Sequence, residues 1–211
     1  MGKLNPKTFV AKFFDHKPLS VKVTHNPNSI RRRFLSLYGA GPEEVFGWAG
    51  PRSLNSINWR KSLIFINKNL PLFIEGVKRE RKGFEVEYTT AHELAHVFAE
   101  RAGKNVGRLN EMYADLIALE YFAQTKPLDY KKILRLAKFK PTRERVWVDH
   151  NAQKIHSLFP LLAREEIIRD LLNGVVKSDG PRFDEYLLAK AKKYKLPSKV
   201  IAKMKAEEVP F

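Results

Sequence analysis

The chain has 211 residues, 44% of them apolar, and sets 39 Lys and Arg against 23 Asp and Glu for a formal charge of +16. That is enough apolar material for one substantial core. The absence of cysteine excludes disulfides, thiolate metal ligands and a cysteine nucleophile, so any metal site must be built from histidine and carboxylate.

No run of about 18 apolar residues is present to span a bilayer. The charges scattered through MGKLNPKTFVAKFFDH interrupt the apolar centre a signal peptide needs. A soluble, cytoplasmic protein is expected. The positive charge suits a nucleic acid or another polyanion as partner, with basic residues at Arg31 to Arg33, at 78–82, through 131–145 and through 190–205. They form no single motif, and no zinc-finger spacing, RNA-binding aromatic signature or glycine-rich phosphate loop accompanies them. Lys-rich helix faces in water are the plainer reading.

In chain order, Asn5 as N-cap and Pro6 at the first helical position predict a helix whose apolar face is Phe9, Val10, Phe13 and Phe14, ending before Pro18. LSVKVTH, 19–25, alternates as a strand does. NSIRRRFLSLYG places Ile30, Phe34, Leu35, Leu37 and Tyr38 at helical spacing, with the arginines around the polar side and Gly39 to stop it. EVFGWAG, SINWR and SLIFINKNL read as strands of a small sheet, SLIFIN being the clearest by its β-branched and aromatic content. After the basic loop EGVKRERKG the pattern is nearly all helical, over 84–102, 108–124, 127–138, 146–158, 160–173, 181–194 and 198–208. KFKPTRER, 138–145, is the best boundary, separating a catalytic domain of residues 1–138 from a helical subdomain, residues 139–211, packed against it.

The chemistry concentrates in TTAHELAHVFAERAG, 89–103. Residues four apart share a helix face, so His92 and His96 can direct imidazole nitrogens to one point about 2 Å from each. Glu93 is turned about 100° from His92, where a base acting on a metal-activated water belongs. Ala91, Ala95 and Ala99 leave room around the histidines, while Leu94, Val97 and Phe98 can anchor the helix. Three polar side chains on an ordinary helix are the competing reading, but amid alanine and apolar neighbours they need some other way to be satisfied.

A zinc site with two histidines needs a third protein ligand and one open position. NEMYAD, 110–115, offers Glu111, and RAGKNVGRL, with Gly103 and Gly107, is long enough to reverse the chain. Asp115, one helical turn further, is placed to accept the ring N–H of a ligating histidine and set its tautomer. It is also the main alternative ligand. Glu100 lies on the motif helix itself and cannot readily come round to the metal, and Glu120 is more than two turns past Glu111.

His92-Glu93-Leu94-Ala95-His96 followed by Glu111-x-x-Ala114-Asp115 resembles the gluzincin clan of zinc metallopeptidases. Within it, the pattern is most similar to the minigluzincins and the ImmA/IrrE-like intracellular peptidases, over about residues 56 to 122. Metzincins are excluded by Ala99 and Ala102, where that clan requires Gly and a third His. The resemblance implies one zinc ion held by His92, His96 and Glu111, Glu93 as general base and acid, and Asp115 as the partner of a ligating histidine, chiefly His92. It also implies that the strand at 62–67 rims a cleft and pairs with an extended substrate. Larger gluzincins stabilise the oxyanion with a downstream His or Tyr. Here His150, His156 and Tyr113 are candidates, His150 being taken as the catalytic one although an Asp-His pair at a helix start more often caps or faces solvent. Trp48, Trp59 and Trp147 read as core or rim aromatics, and KAEEVPF at the end as a frayed tail.

The expected fold is therefore α+β, a small mixed sheet in the N-terminal half packed on the motif helix and a second ligand helix, followed by an all-helical C-terminal region. The expected function is zinc-dependent hydrolysis of peptide bonds in a peptide or protein substrate. The alternative is a basic nucleic-acid or anionic-surface binding protein with a latent or structural zinc site.

Overall fold

The computed structural model describes residues 5–14, 21–32, 35, 41, 47–51, 62–68, 83–104, 111–137, 148–177 and 182–206. SINWR with Trp59, the KFKPTRER boundary, Trp147 and the chain after Ala206 lie outside the described residues, as does the side chain of Trp48.

The chain opens with α1 (Pro6–Ala11), where Asn5 Oδ1 accepts from the Thr8 amide at 2.9 Å and Pro6 occupies the first turn. A 3-10 turn, Lys12–Phe14, continues it. Among the described residues three strands follow, β1 (Val21–Thr24), β2 (Gly47–Pro51) and β3 (Ser62–Ile66), in the order β1-β3-β2. β1 runs parallel to β3, from Val21 beside Ser62 to Thr24 beside Phe65, and β2 runs antiparallel to it, from Gly47 beside Ile66 to Pro51 beside Ser62. The sheet is mixed, as expected.

Every residue of β3 is buried. Successive side chains of a strand point to opposite faces, and both faces here are covered. Ile64 and Ile66 join the main core, whereas Leu63 and Phe65 pack with Ile30 on the other side. Of the helix expected over NSIRRRFLSLYG, Pro27–Ser29 is a 3-10 turn and Arg31, Arg32 and Leu35 are helical, with Leu35 exposed.

The rest of the described chain is helical: α2 (Gly83–Arg101), α3 (Glu111–Thr125), α4 (Pro127–Ala137), α5 (His150–Leu158), α6 (Leu161–Leu172), α7 (Phe183–Lys193) and α8 (Ser198–Ala206). α2 ends where Gly103 adopts φ +63, with Lys104 N bonded to Ala99 O and Gly103 N to Glu100 O. A left-handed residue that satisfies the last carbonyls in this way is a Schellman cap, a position that favours glycine. Gly174 ends α6 in the same manner, but the equivalent position after α7 is Lys195, at φ 52.

α3 is the axis of the molecule. Met112 to Phe122 are buried without a break, the mark of a helix covered all round. α2, α4, α5 and α6 pack against it, α1 touches both α2 and α3, and α2 also lies on β2 and β3. One buried cluster runs from Phe9 in α1 to Met204 in α8, with Ala152 and Ile155 of α5 and Ile167 and Ile168 of α6 in it, so the helices after residue 148 share their core with those before residue 138. No helix among the described residues is long and apolar enough to cross a membrane.

Candidate metal centre

α2 and α3 run antiparallel, so the histidine stripe of one faces the first turns of the other. His92 Nε2 lies 2.8 Å from Glu111 Oε2 and 3.2 Å from His96 Nε2, and His96 Nε2 is 3.5 Å from Glu111 Oε2. These residues form the one group of three or more metal-ligating side chains found among the described residues. The third partner proposed from the sequence, Glu111 rather than Asp115, is the one that meets the two histidines.

The donor set fits a metal ion. Four ligands at about 2.0–2.1 Å in a tetrahedron stand about 3.3 Å apart, and the three separations here bracket that value. Three acceptor atoms turned towards one point also repel unless something positive lies between them. A proton can serve: burial alone would lower the pKa of His92, but the charge and hydrogen bond of Asp115, then the bond to Glu111, raise it well above the ordinary histidine value. Burial likewise works to raise the Glu111 carboxyl, and the bonds from His92 and His96 overcome it, holding Glu111 well below the usual carboxylate range. A metal ion entering the triangle displaces that proton, so its affinity rises with pH.

Each histidine is braced from behind. His92 Nδ1 lies 2.8 Å from Asp115 Oδ1, the partnership the resemblance implied. Asp115, only 3% exposed, takes two further bonds: Tyr88 OH donates to Oδ1 at 2.8 Å and the Asp149 amide donates to Oδ2 at 2.6 Å. His96 Nδ1 lies 2.8 Å from the Tyr113 hydroxyl, with the two rings edge to face. Burial, then the charge of Glu111, pushes the Tyr113 phenol far up, so it stays protonated. Glu93 is 8% exposed, and its charge contributes to holding the proton on His92.

The oxyanion candidates separate. Tyr113 is engaged with His96. His156 is buried between Tyr130, 3.1 Å from Nδ1, and the Leu116 carbonyl, 3.1 Å from Nε2, and burial with the nearby Arg164 charge takes its pKa down to about 3. It is a neutral core histidine. His150 is exposed as the first residue of α5. Its neighbour Asp149 caps the helix through Oδ1, accepting from the Asn151 and Ala152 amides, the commoner role of an Asp-His pair at a helix start.

Glu120 is fully buried and bonded by Arg164 at 2.6 Å, which accounts for a carboxylate that is not a ligand. Glu100 is exposed. The expected cleft-rim strand needs correction, because β3 is the central strand and its backbone is paired on both sides. It has no free edge to offer a substrate.

Sequence reasoning missed Tyr88 and the bracing role of Tyr113. Tyr88 stands four residues before His92, on the stripe that carries both histidines, so helical spacing alone could have found it. A scan against protein-family models, a search of curated proteins and a search of solved structures each found no match.

Proposed function

We propose that this chain is a zinc-dependent metallopeptidase of gluzincin type, cytoplasmic, acting on peptide or protein substrates. The observation that carries the reading is the convergence of His92, His96 and Glu111 on one point, beside a buried Glu93. Two imidazoles and one carboxylate suit zinc, whereas calcium and magnesium take oxygen donors. Held there, zinc would supply Lewis acidity, acidifying a water and polarising a scissile carbonyl.

Glu93 takes the proton of the attacking water on its carboxylate and delivers it to the amine nitrogen as the C–N bond breaks. His92 and His96 keep their ring orientation through Asp115 and Tyr113, so the charge that develops meets a preorganised site. With Tyr113 and His156 engaged elsewhere, His150 is the remaining candidate for a hydrogen bond to the oxyanion. Among the described residues β2 is an edge strand with α2 lying against it, and its outer edge is where an extended substrate would pair.

The test is metal analysis of the purified chain together with peptide-library cleavage by wild type and Glu93→Gln. Both proteins should carry about one zinc, the number that the donor set found among the described residues allows, and wild type alone should cleave. Full cleavage by the variant at the same zinc content would remove Glu93 from the chemistry.

A second reading has its own observation. Lys192, Lys195 and Lys199 are exposed around the turn from α7 to α8, whereas Lys190 and Lys193 are bonded to Glu166. Such a surface suits a polyanion. DNA binding that falls steeply with salt, with zinc present and no cleavage of any peptide, would favour a binding protein whose zinc is structural.

A further inference from the structure

His92 and His96 turn the same nitrogen towards Glu111 but rest on chemically different supports. Behind His92 is a carboxylate, which can only accept, so Nδ1 of His92 keeps its proton, and once the proton shared with Glu111 is displaced Nε2 is bare. Behind His96 is a phenol, which can either donate or accept. If Tyr113 donates to Nδ1, the ring proton of neutral His96 sits on Nε2 and blocks the metal position. If Tyr113 accepts, Nε2 is bare and all three donors of the triangle are ready.

Tyr113 is 1% exposed, so its hydroxyl is held at the ring by packing. Its oxygen is 2.8 Å from His96 Nδ1, and the rings meet edge to face with centroids 5.4 Å apart. A metal ion in the triangle requires the accepting arrangement. We infer that Tyr113 is a positioning residue for metal binding: its phenol oxygen receives the Nδ1 proton of His96 and so holds Nε2 bare and turned towards His92 and Glu111. Tyr113 touches neither the metal position nor a substrate; it acts through His96. The inference rests on the metal reading of the triangle but not on peptidase activity.

Antiparallel packing accounts for the placement. Glu111 and Asp115 share one face of α3, reaching the motif helix in front of and behind His92. Tyr113 lies between them in sequence and reaches round to His96 with a longer side chain. The packing wall it forms is aromatic, so phenylalanine keeps the wall and removes the oxygen.

The experiment compares wild type with Tyr113→Phe by chelator competition for zinc and by the visible absorption spectrum of the cobalt-substituted protein. Loss of a bond behind a ligating histidine lowers metal affinity by about 10- to 100-fold. Tyr113→Phe should show a loss in that range, with a changed cobalt spectrum and an unchanged far-ultraviolet dichroism. A merely structural tyrosine would leave the cobalt spectrum alone. Long-range nitrogen–proton NMR on zinc-loaded wild type gives a check that needs no variant, and it should find the His96 proton on Nδ1.

Zinc affinity and cobalt spectrum equal to wild type in Tyr113→Phe would overturn the inference while leaving the metal centre standing. An Nε2-protonated His96 in the zinc-loaded protein would overturn the inference by a different route, taking His96 out of the donor set, and it can be read even if Tyr113→Phe does not fold. Wild type that binds neither zinc nor cobalt would remove the metal reading itself, and this inference with it.

Discussion

Replacing Asp115 with alanine tests how much of the molecule depends on one carboxylate. Its two oxygens receive Tyr88 OH at 2.8 Å, His92 Nδ1 at 2.8 Å and the Asp149 amide at 2.6 Å, in a position 3% exposed. A buried donor left without a partner costs about 1–3 kcal/mol. Three such donors do not add in full, because His92 is partly exposed and water entering the vacated volume can serve one of them. A net loss of about 3–5 kcal/mol follows, a large fraction of the stability of a typical domain.

Chemical denaturation of the metal-free protein, followed by far-ultraviolet dichroism, reads this directly. Asp115→Asn separates shape from chemistry. It keeps the volume, but its NH2 must face one of the three donors, so it too should lose stability and metal affinity. An Asp115→Ala variant within about 1 kcal/mol of wild type, below the cost of even one stranded donor, would refute the claim that this carboxylate ties α2, α3 and α5 together.

His156 makes stability depend on pH. With its folded pKa down at about 3 against an ordinary 6.5, its contribution is fully present above pH 6.5 and lost as pH falls towards 3, because the unfolded chain binds a proton the folded one refuses. Relative to His156→Gln, wild type should lose about 2 kcal/mol between pH 7 and 5; groups remote from His156 cancel in the comparison, Glu120 at 3.8 Å being the neighbour that does not, and a flat difference would show that His156 does not titrate this way. Lys195 occupies the left-handed cap position after α7, where a side chain is strained. Lys195→Gly should raise stability by about 0.5–1 kcal/mol and the melting temperature by about 2 °C, and a lower melting temperature would show that the lysine side chain stabilises the turn by more than its strain costs.

The parts of the site legible in the sequence are those governed by spacing along one helix. The i, i+4 relation aligns His92 with His96, and the same relation on α3 sets Asp115 one turn from Glu111; a short connection between two helices then left little choice but an antiparallel return. α1 was readable from its cap, since Asn5 and Pro6 act on their own neighbours. What depends on contacts between distant segments was not. SLIFIN was recognisable as a strand, but its neighbours in the sheet are set by β1 and β2, about 40 and about 15 residues upstream along the chain. Its lack of polar alternation was the available sign that both faces are covered. The contact of Tyr113 with His96 was not legible because its reach follows from the separation of two helices, which spacing along either one does not contain.

The bond from the Asp149 amide to Asp115 also sets an order of assembly. His92, His96, Glu111 and Asp115 all leave the ribosome before Asp149 does. Until that residue emerges and α5 docks, one oxygen of Asp115 lacks its partner and the brace behind His92 is incomplete. A metal ion captured by a nascent chain would therefore be held less firmly than by the finished one. By reciprocity, metal bound in the finished protein tightens the docking of α5 by the same factor, so a chelator should make the helices after residue 148 easier for a protease to open.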